Sequence, residues 1–140
     1  MKIIHTSDWH LGAKLHEQDR GEDHRAFLAF LATLIAEEKP DALVVSGDVF
    51  DTRQPTPAAQ KLYYDFLAEV ARGGNCGKVV VTAGNHDSAS RIQADSVIWT
   101  LANTTMVGTA PSTEPDEGWE EKYLAAATAY QDWRNSPGYF

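Results

Sequence analysis

The sequence predicts an α/β fold built in layers, with a largely parallel sheet and flanking helices. Three short apolar runs carry that reading: Ile3-Ile4, Ala42-Leu43-Val44-Val45 and Val79-Val80-Val81. Segments of helical periodicity separate them, and a polar motif follows each run: Asp8-Trp9-His10, Gly47-Asp48-Val49-Phe50-Asp51 and Gly84-Asn85-His86-Asp87. Strand, helix and strand at this spacing imply right-handed crossovers and parallel pairing. Ligand sites in such sheets lie beyond the carboxyl ends of the strands, where all three motifs fall.

Residues 2–7 read as a short buried strand. Residues 22–38 read as a helix, because Phe27, Leu28, Leu31, Leu34 and Ile35 recur at spacings of three and four. Lys39-Pro40 ends it, since proline restricts its predecessor and cannot continue the ladder. Residues 42–46 are nearly all apolar, which predicts a strand covered on both faces. Thr56-Pro57 opens a second helix, with threonine at the cap and proline in the first turn. Its apolar face is Leu62, Tyr63, Phe66, Leu67 and Val70, and Gly73-Gly74 terminates it. Residues 78–82 predict a third buried strand. Residues 88–102 predict one helix with Ile92, Val97, Ile98 and Leu101 inward. Residues 109–119 read as an acidic linker with prolines. Residues 120–133 read as a helix with Tyr123, Leu124, Ala127 and Tyr130 along one stripe, followed by a breaker-rich tail.

At 140 residues the chain is one domain by size and long enough for a hydrophobic core. It has no apolar stretch of membrane-spanning length. Its N-terminus lacks the apolar core of a signal peptide, so no membrane association and a cytoplasmic setting are expected. Cys76 is the single cysteine, which excludes an internal disulfide and offers no metal-ligand spacing. The net charge is −8, and residues 112–140 contribute six acids against two bases. Such a chain does not wrap nucleic acid by phosphate neutralisation alone.

The motifs carry the chemistry. Asp8 and His10 stand at i and i+2, which in an extended segment point the same way and can share a cation. Alone, Asp-x-His also occurs by chance. Gly47 permits a tight turn at a strand end, so that Asp48 projects into the crevice with two oxygens able to bridge two ions. Asp51 can orient a ligand or accept a hydrogen bond. Asn85 offers a neutral amide oxygen to a hard cation. His86 beside Asp87 is a candidate proton donor steadied by a carboxylate. Each motif alone could be an ordinary turn with solvated polar groups; three in this order point to metal-assisted attack of water on phosphorus.

Three stretches carry a closer likeness: Ile4-His5-Thr6-Ser7-Asp8-Trp9-His10-Leu11-Gly12, Gly47-Asp48-Val49-Phe50-Asp51-Thr52 and Ala83-Gly84-Asn85-His86-Asp87-Ser88. Over roughly residues 1–108 the chain resembles the calcineurin-like metallophosphoesterases, and within them the SbcD family of nuclease subunits. The resemblance implies that Asp8 and His10 bind one ion, Asp48 bridges two, and Asn85 binds the second. His86 would contact the phosphate and protonate the leaving oxygen, with Asp87 supporting it. The ions would be manganese or magnesium, about 3.5–4 Å apart. It implies an exonuclease for DNA ends, in repair and recombination, partnered by an SbcC-like ATPase.

Members of that family continue with a lone Gly-His and then a Gly-His-x-His motif, whereas this sequence has no histidine after His86. The expectation is therefore the first half of the layered sandwich, apparently truncated, with one ion or weak sites. It would rely on a homodimer or a partner to cover the open sheet. Two other readings remain open at the level of sequence: a non-catalytic relative that binds or interferes with a full-length nuclease, and a small-molecule phosphoesterase. Of the remaining histidines, His5 is expected in the first strand, either packing there or supporting the ligands from behind. His16 and His24 are expected to be exposed, near or on the first helix.

Overall fold

A computed structural model describes residues 1–94 and 96–108, with the side chains of Val97 and Ile98 left out. The expected linker 109–119 and the helix and tail 120–140 lie outside the described residues.

The elements follow in the order β1 (Ile3–Thr6), β2 (Lys14–Leu15), β3 (Gln18–Asp19), α1 (Gly21–Glu38), β4 (Ala42–Ser46), α2 (Pro57–Gly73), β5 (Lys78–Thr82), α3 (Ala89–Ala94), α4 (Ser96–Leu101) and β6 (Thr104–Val107). The sheet order is β1-β4-β5-β6, and every pairing is parallel. Three crossovers step across the sheet in one direction. Parallel crossovers are right-handed as a rule, which puts successive helices on one face.

Burial follows that arrangement. Leu43, Val45, Val79, Val81, Thr104 and Met106 are buried, while the alternate residues Ala42, Val44, Val80 and Thr105 are half-buried. The buried set meets Leu28, Leu31 and Ile35 of α1 and Tyr63, Phe66, Leu67 and Val70 of α2. Strand β4, expected to be covered on both faces, is thus buried on one. The apolar runs suggested two-sided cover because valine and leucine fill both parities of β4.

Sequence signals account for the element ends. Thr56 caps α2 by accepting the Ala59 N–H at 3.2 Å, and Pro57 stands in its first turn. Gly74 closes that helix at φ 62°. Lys39 closes α1 in the same left-handed conformation, and its N–H reaches the Ile35 carbonyl at 2.9 Å. The helix expected over 88–102 is seen as α3 and α4 on either side of residue 95, which lies outside the described residues. The hairpin β2–β3 and the strand β6 were not expected. β6 is only four residues long and threonine-rich, and its Met106 fills the core beside Val81.

Candidate metal centre

Loops at the carboxyl ends of β1, β4 and β5 are stitched into one platform. The Asp8, His10 and Leu11 N–H groups donate to the carbonyls of Gly47, Asp48 and Val49 at 3.1, 3.0 and 2.9 Å. Asp51 N–H returns to the Leu11 carbonyl at 3.1 Å, and Gly47 N–H reaches the Thr82 carbonyl at 3.0 Å. Trp9, between the two expected ligands, turns the other way. It is buried against Phe66 and Phe27, and its Nε1–H donates to Thr6 Oγ1 at 2.9 Å. This anchor fixes the loop that carries Asp8 and His10.

The backbone there is not extended. Asp8, His10 and Asp48 have φ values of 56°, 47° and 49°. Non-glycine residues enter this left-handed region at a cost of about 1–2 kcal/mol each, and such strain gathers where surrounding structure imposes a function. The pair at i and i+2 converges through that conformation rather than through strand alternation.

His10 sits at the centre. Its Nε2 lies 3.8 Å from Asp8 Oδ1 and 3.8 Å from Asp48 Oδ2, and its Nδ1 lies 3.3 Å from Asp51 Oδ1. One donor atom each from Asp8, His10 and Asp48 falls within 4.8 Å of the others. Asp48 is buried, its Oδ1 accepting the His86 N–H at 3.0 Å. The Asn85 side-chain amide lies against the Asp48 carboxylate; with its nitrogen inward it donates to both carboxylate oxygens at 3.2 Å, and a half-turn of the amide offers its oxygen to an ion instead. This donor set, three oxygens and one imidazole, fits a hard divalent ion.

Two close glycines bring the motifs together. Gly47 has φ 78°, and a Cβ on it would stand 3.0 Å from the Gly84 Cα. A Cβ on Gly84 would run into the carboxylate and the backbone nitrogen of Asp48. Only hydrogen at both positions lets Asn85 and His86 approach Asp48.

His86 is exposed, and its Nδ1 lies 3.1 Å from the Asp51 carbonyl. Asp87, expected beside the imidazole, is placed differently. Its carboxylate is buried and accepts backbone N–H groups from Val49 at 3.1 Å, Phe50 at 2.8 Å and Gly84 at 2.8 Å. Asp51 touches both imidazole rings, that of His10 through its side chain and that of His86 through its main chain.

The other histidines separate clearly. His5 is exposed on β1, with Nε2 2.9 Å from Ser46 Oγ. His16 is exposed in the β2–β3 turn at φ 50°. His24, expected to be exposed, is 7% exposed, and its Nδ1 has no partner among the described residues. Burial, then the Arg20 charge, lowers its pKa, against the opposing pull of Asp23, Asp19 and Asp51. The apolar spacing of α1 gave no sign of this, because His24 packs one turn before the leucine stripe begins.

Residues 1–136 match the calcineurin-like phosphoesterase family. The chain belongs to that family. Calcineurin-like phosphoesterases use divalent metals, in keeping with the His and Asp groups gathered here. The chain is 42% identical over 109 residues to the SbcD component of the SbcCD nuclease of Rhodobacter capsulatus, covering 78% of this chain and 27% of that protein. The SbcD component from Escherichia coli K12 is 42% identical over 110 residues, covering 79% and 27%. That of Bacillus subtilis is 38% identical over 115 residues, covering 82% and 29%. The chain thus spans less than a third of the length of these curated relatives. Among the described residues no helix is long and apolar enough to cross a membrane.

Proposed function

We propose that this chain carries the metal-binding part of a phosphodiesterase acting on DNA ends, of the SbcD type, with manganese or magnesium as its ion. The observation that supports this most is the convergence of Asp8, His10 and Asp48 on one point beyond the parallel sheet, with the Asn85 amide beside the same carboxylate. Likeness to these nuclease components favours a nucleic-acid substrate over a small phosphoester, and their place in SbcCD favours an SbcC-like partner.

Asp8, His10 and Asp48 would hold one ion, with Asp48 and Asn85 reaching a second. A divalent ion bound there supplies Lewis acidity to a phosphate oxygen and lowers the pKa of water. The chain's own residues do the rest. Asp51 holds His10 through Nδ1, leaving Nε2 toward the carboxylates, as metal-ligating histidines are usually oriented. The Asp51 carbonyl holds His86 Nδ1–H, which leaves Nε2 to give a proton to the leaving oxygen. Asp87 takes a bracing role here, clasping the loop rather than steering the imidazole.

The test is manganese-dependent cleavage of linear duplex DNA. His86→Ala is expected to lower turnover about a hundred- to ten-thousand-fold, the usual worth of general acid catalysis, while manganese affinity changes little. Equal losses of both would make His86 a ligand instead. A second reading, a non-catalytic binding relative, is favoured by one observation: among the described residues only Asp48 and Asn85 are placed for a second ion. DNA binding without cleavage by a manganese-loaded chain would select it.

A further inference from the structure

A second group of donors lies on the other side of His10. One donor atom each from His10, Asp51 and His86 falls within 4.8 Å of the others, and this set contains neither Asp8, Asp48 nor Asn85. The His10 Nδ1 to Asp51 Oδ1 separation is 3.3 Å. Bonds of about 2.0–2.1 Å to a tetrahedral ion place its donors about 3.3 Å apart, so this pair already has the required spacing. The rings of His10 and His86 meet edge to face with centroids 5.1 Å apart, so His86 forms the third side of the group. His86 is exposed, and Asp51 is only partly buried, so the group is open to solvent and free to adjust.

The chemistry of the two groups differs. Asp8, His10, Asp48 and Asn85 offer three oxygens and one nitrogen, a hard set. His10, Asp51 and His86 offer two imidazoles and one carboxylate, which suit zinc. Affinity for nitrogen donors rises from manganese toward zinc along the first-row series.

We propose that His10, Asp51 and His86 form a zinc site that competes with the hydrolytic arrangement. Zinc there takes the imidazole proposed to protonate the leaving group, and draws His10 off through Nδ1. Zinc is thus an inhibitor at low concentration, whereas manganese supports the reaction. The inhibitory consequence rests on the function proposed above; the binding itself does not.

Zinc titration of the 140-residue chain against a chromophoric chelator tests the site. Cobalt(II) serves as a parallel probe whose visible absorption reports tetrahedral coordination. Asp8→Asn should still take up zinc and give the cobalt spectrum. Asp51→Asn and His86→Gln should each weaken zinc at least about tenfold and lose that spectrum. Both substitutions leave the Asp87 clasp intact, and unchanged circular dichroism would show that the fold survives. Loss of zinc in Asp8→Asn together with its retention in Asp51→Asn and His86→Gln would put zinc among the carboxylates and overturn the inference. So would no zinc uptake by the unaltered chain. Manganese binding measured on the same samples separates the two failures: manganese bound without zinc at this group overturns the zinc site alone, and neither ion bound overturns the functional reading as well.

Discussion

The carboxylate of Asp87 holds the backbone N–H of Phe50 at 2.8 Å, across 37 positions of sequence. With the Val49 and Gly84 N–H groups on the same carboxylate, it clasps the loop after β5 to the loop after β4. Asp48 and His86 are the immediate neighbours of the clasped residues. The brace therefore sets the distance between the second and third motifs, and Asp87 is 4% exposed, so water cannot replace it.

Asp87→Asn should destabilise the chain. One carboxylate oxygen becomes an NH2 group facing an N–H donor, which leaves a buried donor unmatched at a cost of about 1–3 kcal/mol. Urea unfolding followed by circular dichroism measures this. An unchanged midpoint would mean that the three hydrogen bonds do not hold the loops.

Gly84→Ala should damage the metal centre more than the fold. The added methyl collides with the Asp48 carboxylate and its backbone nitrogen, which must move together. Gly74→Ala is the control. There nothing lies within 4 Å, but φ is 62°, so it should cost about 1–2 kcal/mol of stability and leave manganese affinity intact. Manganese binding that is equal in the two variants would mean that the close approach of Gly84 to Asp48 is not needed.

His24 should make stability fall on acidification. Its folded-state pKa is lowered, chiefly by burial, so the unfolded chain takes up this proton first as the pH drops through about 6.5. Stability is fully present above that value and is lost as the pH falls toward the lower folded-state pKa. His24→Gln should flatten the slope of the urea midpoint between neutral and mildly acidic pH. The same slope in both chains would assign the acid sensitivity to other groups.

Strands β4 and β5 and helix α2 were legible because each has a local signature: apolar runs, a Thr-Pro start, a Gly-Gly end. The candidate ligands were legible as residue types at strand ends. What sequence could not give was their backbone. Three left-handed residues in Asp8, His10 and Asp48 arise from hydrogen bonds between loops some 40 positions apart, which leave no local signature. The same holds for Asp87. Adjacency to His86 suggested an ion-pair partner, but the pairing that formed is with distant main chain. The burial of His24 is likewise a product of where α1 and α2 begin to pack, and strand β6 was too short and polar to announce itself.

The most direct test of the central claim, that Asp8, His10 and Asp48 hold a divalent ion with Asn85 beside them, is manganese binding read from the paramagnetic resonance signal of the free ion. Adding the unaltered chain should quench that signal saturably. Asp48→Asn should weaken binding by at least about tenfold, because Asp48 is the buried carboxylate that both His10 and Asn85 face. Equal quenching by the two chains would contradict the account and place the ion elsewhere.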